Sequence, residues 1–397
     1  MGPGIITGFA GNDAGGVATY TSAGARFGFA LLWLLLIASV SLAIVQDMCA
    51  RMGVVTGKGL SDLIRERFGV RWTIVGMLAL FLANASNVVA EYAGIAASLG
   101  LVGVPPFVSV PVAGIVVWAL IVFASYRVVE RALFALILAF LAYPLSIAIL
   151  RPDWSEVGKG FVPGVPAEPG ALVMALALVG TTVTPYMLFY LQASVVDKGI
   201  DRESFGSARL DVLMGATLSG VFAFFILVVA GAVLFPAGVQ ADTAEEAARA
   251  LQPLAGNSAG LLFGVGLLGA SLLGLTVMPL STSYAICEAF GWESGISKDF
   301  RDAPVFMGLV TLLLVAGGAL VLFFPRELLI PLIVVSQAVN GLLLPVILVF
   351  IARLASDRSV MGQDANGRVR AVLAWGVAGL AGSLSIAFLA ATALGLG

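Results

Sequence analysis

Asp13 is the residue on which chemistry could turn. It stands in Gly11-Asn12-Asp13-Ala14-Gly15-Gly16, within a segment that is otherwise largely apolar. An aspartate inside a membrane helix costs ~2.5–3.5 kcal/mol or more and is by default a site. The flanking glycines let the backbone leave helical geometry, which frees nearby carbonyls such as that of Ala10. One carboxylate with freed carbonyls makes a cation site of hard oxygens. The alternative is a cap: Asp13 would start a second helix with its side chain on the amide of Gly15 or Gly16. One aspartate can do both. A second break lies at Thr181-Thr182-Val183-Thr184-Pro185. Pro185 lacks an N–H and so frees the Thr181 carbonyl, while Thr181 and Thr184 offer hydroxyls. On its own this second break reads as a proline kink.

These residues must be positioned by helices in lipid. The chain has 397 residues, 60% of them hydrophobic and 11% charged, with a mean hydropathy of +1.05. Soluble domains carry ~25% charge, so a cytosolic enzyme, a secreted domain and a nucleic-acid binder are excluded. There is no histidine, which removes histidine metal ligation and histidine proton relays. Cys49 and Cys287 form neither a zinc-type cluster nor a disulfide framework. At ~20 apolar residues per span, eleven transmembrane helices are expected. They run 3–26 (interrupted), 29–51, 72–100, 107–125, 130–150, 169–198 (interrupted), 208–235, 259–288, 304–324, 327–354 and 369–395. Gly59–Phe68 reads as a cytoplasmic amphipathic helix capped by Ser61, and Thr243–Leu251 as a short external helix capped by Thr243.

Lys and Arg in the loops set the orientation. Sixteen of the 21 fall in the loops after helices 2, 4, 6, 8 and 10; Arg26, Arg151, Lys159, Arg249 and Arg326 fall in the others. A miscounted middle helix would scramble this split. It puts the N-terminus in the cytoplasm and the C-terminus outside. Five helices separate the two breaks, an odd number, so the second half is inverted relative to the first. Paired broken helices in inverted halves point to a secondary transporter with a midplane site. A single transmembrane domain over 1–397 is expected, with repeat one at 1–150, repeat two at 151–355 and an extra eleventh helix in 356–397.

Asp13-Ala14-Gly15-Gly16, with Ala18-Thr19, Ala23-Gly24-Ala25 and Phe27-Gly28, resembles the first helix of the Nramp family of divalent-metal transporters. That family carries aspartate-proline-glycine-asparagine there. Thr56-Gly57-Lys58-Gly59-Leu60 is similar to its loop after helix 2. Gly180-Thr181-Thr182-Val183-Thr184-Pro185-Tyr186 is similar to its alanine-threonine-valine-methionine-proline-histidine. The resemblance implies a LeuT-type fold and divalent cation transport. It carries over Asp13, the Ala10 and Thr181 carbonyls, and Gln337 of the Ser336-Gln337 pair in helix 10, with Asn340 one turn on as a helper. Several positions depart from it. The family asparagine is Gly16, the methionine is Thr184, the histidine after the proline is Tyr186, and a second histidine falls on Leu191.

The departures have a physical reading. A thioether favours soft or borderline ions, so a threonine hydroxyl in its place leaves an all-oxygen site. Glycine for asparagine removes a bulky ligand and is expected to enlarge the pocket. A roomy oxygen site suits a partly hydrated Mg2+, which sheds water reluctantly. The pattern is similar to the Nramp-related magnesium transporter branch, with Mn2+ also carried. Glu91 matches the family's helix 3 glutamate, but the aspartate three residues earlier is Val88. With Glu91 and Tyr186 alone, a proton path is depleted, and uptake is expected not to be proton-coupled. Glu91 has a structural alternative, hydrogen-bonded within the bundle.

The runner-up is a proton-coupled Mn2+/Fe2+ symporter of the same family. A sodium-coupled amino-acid symporter shares the fold, but Asp13 would repel a substrate carboxylate. No resident cofactor, no nucleic-acid partner, a monomer and a prokaryotic plasma membrane are expected; the divalent ion is the cargo and the lipid bilayer the surroundings. Among the remaining ionisable residues, Asp47 is expected to cap helix 2 or pair with Arg51. Met278-Pro279 is expected to be a kink.

Overall fold

In the computed structural model residues 2–393 are described, except 165, 167, 169, 240, 242–256, 297, 324 and 325. At 126, 257–259, 326–339 and 391–393 only the backbone is described. The described residues are helical, with no strand among them. The helices are α1 (Pro3–Ala10), α2 (Ala14–Phe27), α3 (Leu32–Thr56), α4 (Leu60–Phe68), α5 (Val70–Gly100) and α6 (Pro106–Phe123). There follow α7 (Tyr126–Ile137), α8 (Ala142–Leu150), α9 (Trp154–Lys159), α10 (Ala171–Thr182), α11 (Pro185–Asp197) and α12 (Phe205–Val233). The chain continues with α13 (Asn257–Phe290), α14 (Pro304–Phe323), α15 (Arg326–Ser356), α16 (Arg358–Met361) and α17 (Arg368–Ala393).

Every one of the eleven expected spans coincides with a helix or a helix pair. Nine stretches among the described residues are long and apolar enough to cross a membrane, two of them composite: Arg127–Leu150 joins α7 and α8, and Ala171–Asp197 joins α10 and α11. The first span is not one of them; it comes in pieces of 8 and 14 residues. The fifth is α7 and α8 joined by a 3-10 turn at Leu138–Leu141, and it starts at Tyr126 rather than 130.

Both breaks have local causes. Asn12 bends back, its amide reaching the Phe9 carbonyl at 2.9 Å. Asp13 is extended, with ψ −177°, and caps α2. At the second break Val183 leaves helical geometry (φ −120°, ψ 75°). Thr184 is extended, as a residue before proline prefers to be. Pro185 then opens α11, where its missing amide is harmless.

The broken helices pack crosswise. α1 lies on α11, and α2 lies on α10. First half against second half is the arrangement of two antiparallel broken helices. α12 supports α1, α2 and α3, and α13 packs along the length of α5. α1 and α12 meet backbone to backbone: a Cβ on Gly8 would stand 2.5 Å from the Gly215 carbonyl carbon. Small residues that let helices approach this closely are what lipid-embedded packing uses.

Two local expectations are corrected. α4 is preceded by Gly59, with no side-chain cap, and Ser61 is instead buried with Oγ 3.7 Å from the Met77 sulfur. Asp47 does not pair with Arg51; it accepts from Arg209 Nε at 2.7 Å. Arg51 donates to Asn366. Pro279 lies within a continuous α13, as expected of a kink residue. The proposed external helix Thr243–Leu251 lies outside the described residues.

Candidate functional site

The site is built where α1 stops, α2 starts and α11 passes. Asp13 is 4% exposed. Its Oδ1 accepts from the Gly16 amide at 2.6 Å, and its Oδ2 accepts from the Tyr186 hydroxyl at 2.8 Å. The same hydroxyl lies 2.5 Å from the Ala10 carbonyl oxygen. Two oxygens named from the sequence, one charged and one carbonyl, therefore converge on one point. Tyr186 stands at that point. Its own carbonyl accepts from Ser281 Oγ on α13 at 2.6 Å, which fixes the start of α11.

Asp13 is both cap and candidate ligand. As the cap of α2 it takes an amide that no helix carbonyl could serve. The carboxylate also sits at the positive end of the helix dipole. A second acid does the same. Glu91 on α5 is fully buried, and its Oε2 accepts from the Ala14 amide at 3.1 Å. The structural alternative for Glu91, a hydrogen bond within the bundle, is thus present. Its Oε1 has no partner.

Gly16 supplies its amide to Asp13. A Cβ there would lie 2.6 Å from the Gly11 carbonyl oxygen. The expected enlargement of the pocket is therefore corrected: the backbone of Gly11 fills the space that a side chain at 16 would need.

Thr181 and Thr184 are each 3% exposed at the second break. The Thr184 hydroxyl is buried without a partner. Asn340 on α15 is 1% exposed, and neither its Oδ1 nor its Nδ2 has a partner. Buried polar atoms without partners are rare and mark places where a water or an ion belongs. The side chain of Gln337 lies outside the described residues. Among the described residues no three His, Cys, Asp or Glu side chains converge.

Several participants carried no sequence signal. Tyr20 on α2 meets Thr182 on α10, hydroxyl to hydroxyl at 3.1 Å, and ties the two breaks together. Asn12 donates to the Ser219 carbonyl and hydroxyl of α12 at 3.1 and 3.2 Å. Met187 is fully buried, and its thioether packs onto Gly11, 2.8 Å from where a Cβ would be. A thioether therefore does border the first break, although Thr184 has replaced the one expected from the resemblance.

Access differs on the two sides. α1 is buried from Pro3 to Ala10. On α2, Gly15, Ala18 and Thr19 are half-buried. Their spacing puts them on one face of the helix.

Comparison with known proteins agrees with this geometry. A family model described as natural resistance-associated macrophage protein-like matches residues 4–391. A divalent metal cation transporter MntH of Ralstonia nicotianae is 32% identical over 94% of this chain and 86% of its own length. A protein of the same name from Deinococcus radiodurans is 29% identical over 95% of this chain and 86% of its own. A crystal structure of the Eremococcus coleocola manganese transporter superposes with a TM-score of 0.80 at 22% identity, covering 97% of this chain and 84% of that one. MhsT in complex with L-phenylalanine superposes with a TM-score of 0.65 at 15% identity, covering 98% of each chain. These two likenesses establish the fold.

Proposed function

The chain belongs to the Nramp family, and on that premise we propose that it carries divalent cations across the membrane by alternating access, Mg2+ chiefly and Mn2+ as well. One observation carries this reading. The Asp13 carboxylate and the Ala10 carbonyl aim at a single point, at 2.8 and 2.5 Å from the Tyr186 hydroxyl. The unpartnered Thr184 hydroxyl and Asn340 amide add neutral donors from the second break and from α15. A cargo of hard, partly hydrated ions suits such a set. The burial of α1 and the half-buried face of α2 support a state closed on the side where the chain starts, which the loop charges assign to the cytoplasm. The membrane is the plasma membrane of a prokaryote.

A second reading has its own support. The Met187 thioether beside Gly11 and the names of the relatives favour Mn2+ as the chief cargo.

One flux experiment tests both. Mg2+ and Mn2+ uptake is followed in proteoliposomes for the wild type, Asp13→Asn and Met187→Leu. Asparagine caps a helix about as well as aspartate, so Asp13→Asn should fold normally and lose uptake of both ions. Normal transport by that variant would reduce Asp13 to a cap. Met187→Leu keeps the volume. It should leave the Mg2+/Mn2+ ratio unchanged if all ligands are oxygen, and raise it if the thioether touches the ion.

A further inference from the structure

Away from the ion site a groove of about 520 Å3 runs between α3, α12 and α17. Its α3 wall extends from Leu32 to Met48, ~24 Å at 1.5 Å per residue. It therefore follows most of the ~30 Å hydrocarbon thickness of a bilayer. The walls are apolar, and Leu36, Val40, Val221 and Leu373 line it while remaining exposed.

Only one end of the groove is charged. Arg209 and Arg370 line it there, together with Asp47. Asp47 is taken by Arg209 at 2.7 Å. Arg370 has no carboxylate partner among the described residues. Arg51, one turn beyond Asp47 on α3, is within electrostatic range of both other arginines. It is 3% exposed, yet its Nε and Nη1 have no partner. Asp364, the other acid in range of Arg51, pairs with Arg202 at 2.9 Å. Three guanidinium groups thus gather about Asp47, already engaged by Arg209, while Asp364 is taken by a fourth arginine, Arg202. Like charges so placed repel unless an anion joins them.

We propose that the groove binds an anionic phospholipid, its phosphate held at the arginine end and an acyl chain along Leu36, Val40 and Leu373. Arginine forks suit phosphate oxygens, and the apolar walls suit the chain. Loop charges place the arginine end on the cytoplasmic side, where the leaflet is anionic. A free phosphate would use the arginines alone, and a second copy of this chain would use the walls alone.

The test counts the lipid that the full-length protein retains, by native mass spectrometry, after incubation with equal amounts of phosphatidylglycerol and phosphatidylcholine. The wild type should keep phosphatidylglycerol preferentially. Arg370→Gln should cut that preference about fivefold, the worth of one basic residue at an anionic surface. Val40→Trp, which fills the groove at an exposed position, should abolish retention with the fold intact. Added inorganic phosphate should leave the lipid in place. Four results would overturn the proposal: equal retention of the two lipids, an unchanged preference in Arg370→Gln, displacement by phosphate, or a dimer that Val40→Trp dissociates.

Discussion

Tyr186 has one hydroxyl proton and two acceptors within reach, the Ala10 carbonyl and the Asp13 carboxylate. Both are oxygens that the proposed cargo needs. The hydroxyl stands where the proposed site would hold its ion, so on that proposal this arrangement and a bound ion exclude each other. Removing the hydroxyl should therefore have opposite effects on the empty and the loaded protein. Tyr186→Phe should lower the melting temperature without ion, by the ~1.5–3 kcal/mol of a hydrogen bond to a charged group. It should also enlarge the rise in melting temperature when Mg2+ or Mn2+ is added, since ligand binding stabilises by mass action. A smaller rise than in the wild type would mean that the hydroxyl is a ligand and not a competitor. Asp13 was legible in the sequence because an acid between glycines in an apolar run has few other reasons to be there. The position of Tyr186 was legible only as a departure from a family pattern. A tyrosine in an apolar helix is ordinary core, and its contact with Ala10 spans 176 residues of chain. Met187 was hidden for the same reason, as one more apolar residue in an apolar helix.

At the level of elements, α1 is held by an acid from far along the chain. Asp211 on α12 is 8% exposed and accepts from the amides of Gly2, Gly4 and Ile5 at 2.6, 2.8 and 3.4 Å. These are amides at the start of a helix, which has no carbonyls to offer them. α1 is too short to be stable alone, and its neighbours and this cap keep it in place. Asp211→Ala should loosen α1 by the ~1–2 kcal/mol of a lost cap, a factor of about 5–30 in its opening. Hydrogen exchange across residues 2–10 would read this directly, and unchanged exchange would remove Asp211 from the closure. The break in the first helix could be foreseen from glycines and an aspartate, and the second from a proline. Their crosswise packing could be anticipated from the odd number of intervening helices. The Asp211 cap could not, because an acid near the expected start of a helix looks like one more interfacial charge. Ser61 failed as a cap for a related reason: Gly59 already turns the chain there, which leaves the serine inside the first turn.

The whole molecule decides what drives the cargo. The chain has no histidine, and at the first break its buried acids are Asp13 and Glu91. Asp13 is the proposed ligand of the ion, and Glu91 is engaged by the Ala14 amide of the neighbouring helix. Val88 occupies the position, one turn before Glu91, where the family resemblance led to an acid, and it is buried against Gly317. On the proposed uncoupled mechanism the ion should move alone. A divalent ion moving alone carries two charges, each worth ~2.3 kcal/mol per 100 mV. At 100 mV, negative inside, the drive is therefore ~4.6 kcal/mol, about three orders of magnitude in accumulation ratio at equilibrium. Uptake into sealed proteoliposomes should accelerate when a potassium gradient with valinomycin makes the lumen negative, and slow when the gradient is reversed. A pH-sensitive dye inside the same vesicles should stay constant throughout. Acidification that follows Mg2+ or Mn2+ entry, and is absent from protein-free vesicles, would restore a proton to the cycle. Glu91 would then be the group to examine, with Glu91→Gln expected to keep the Ala14 contact and lose the acidification.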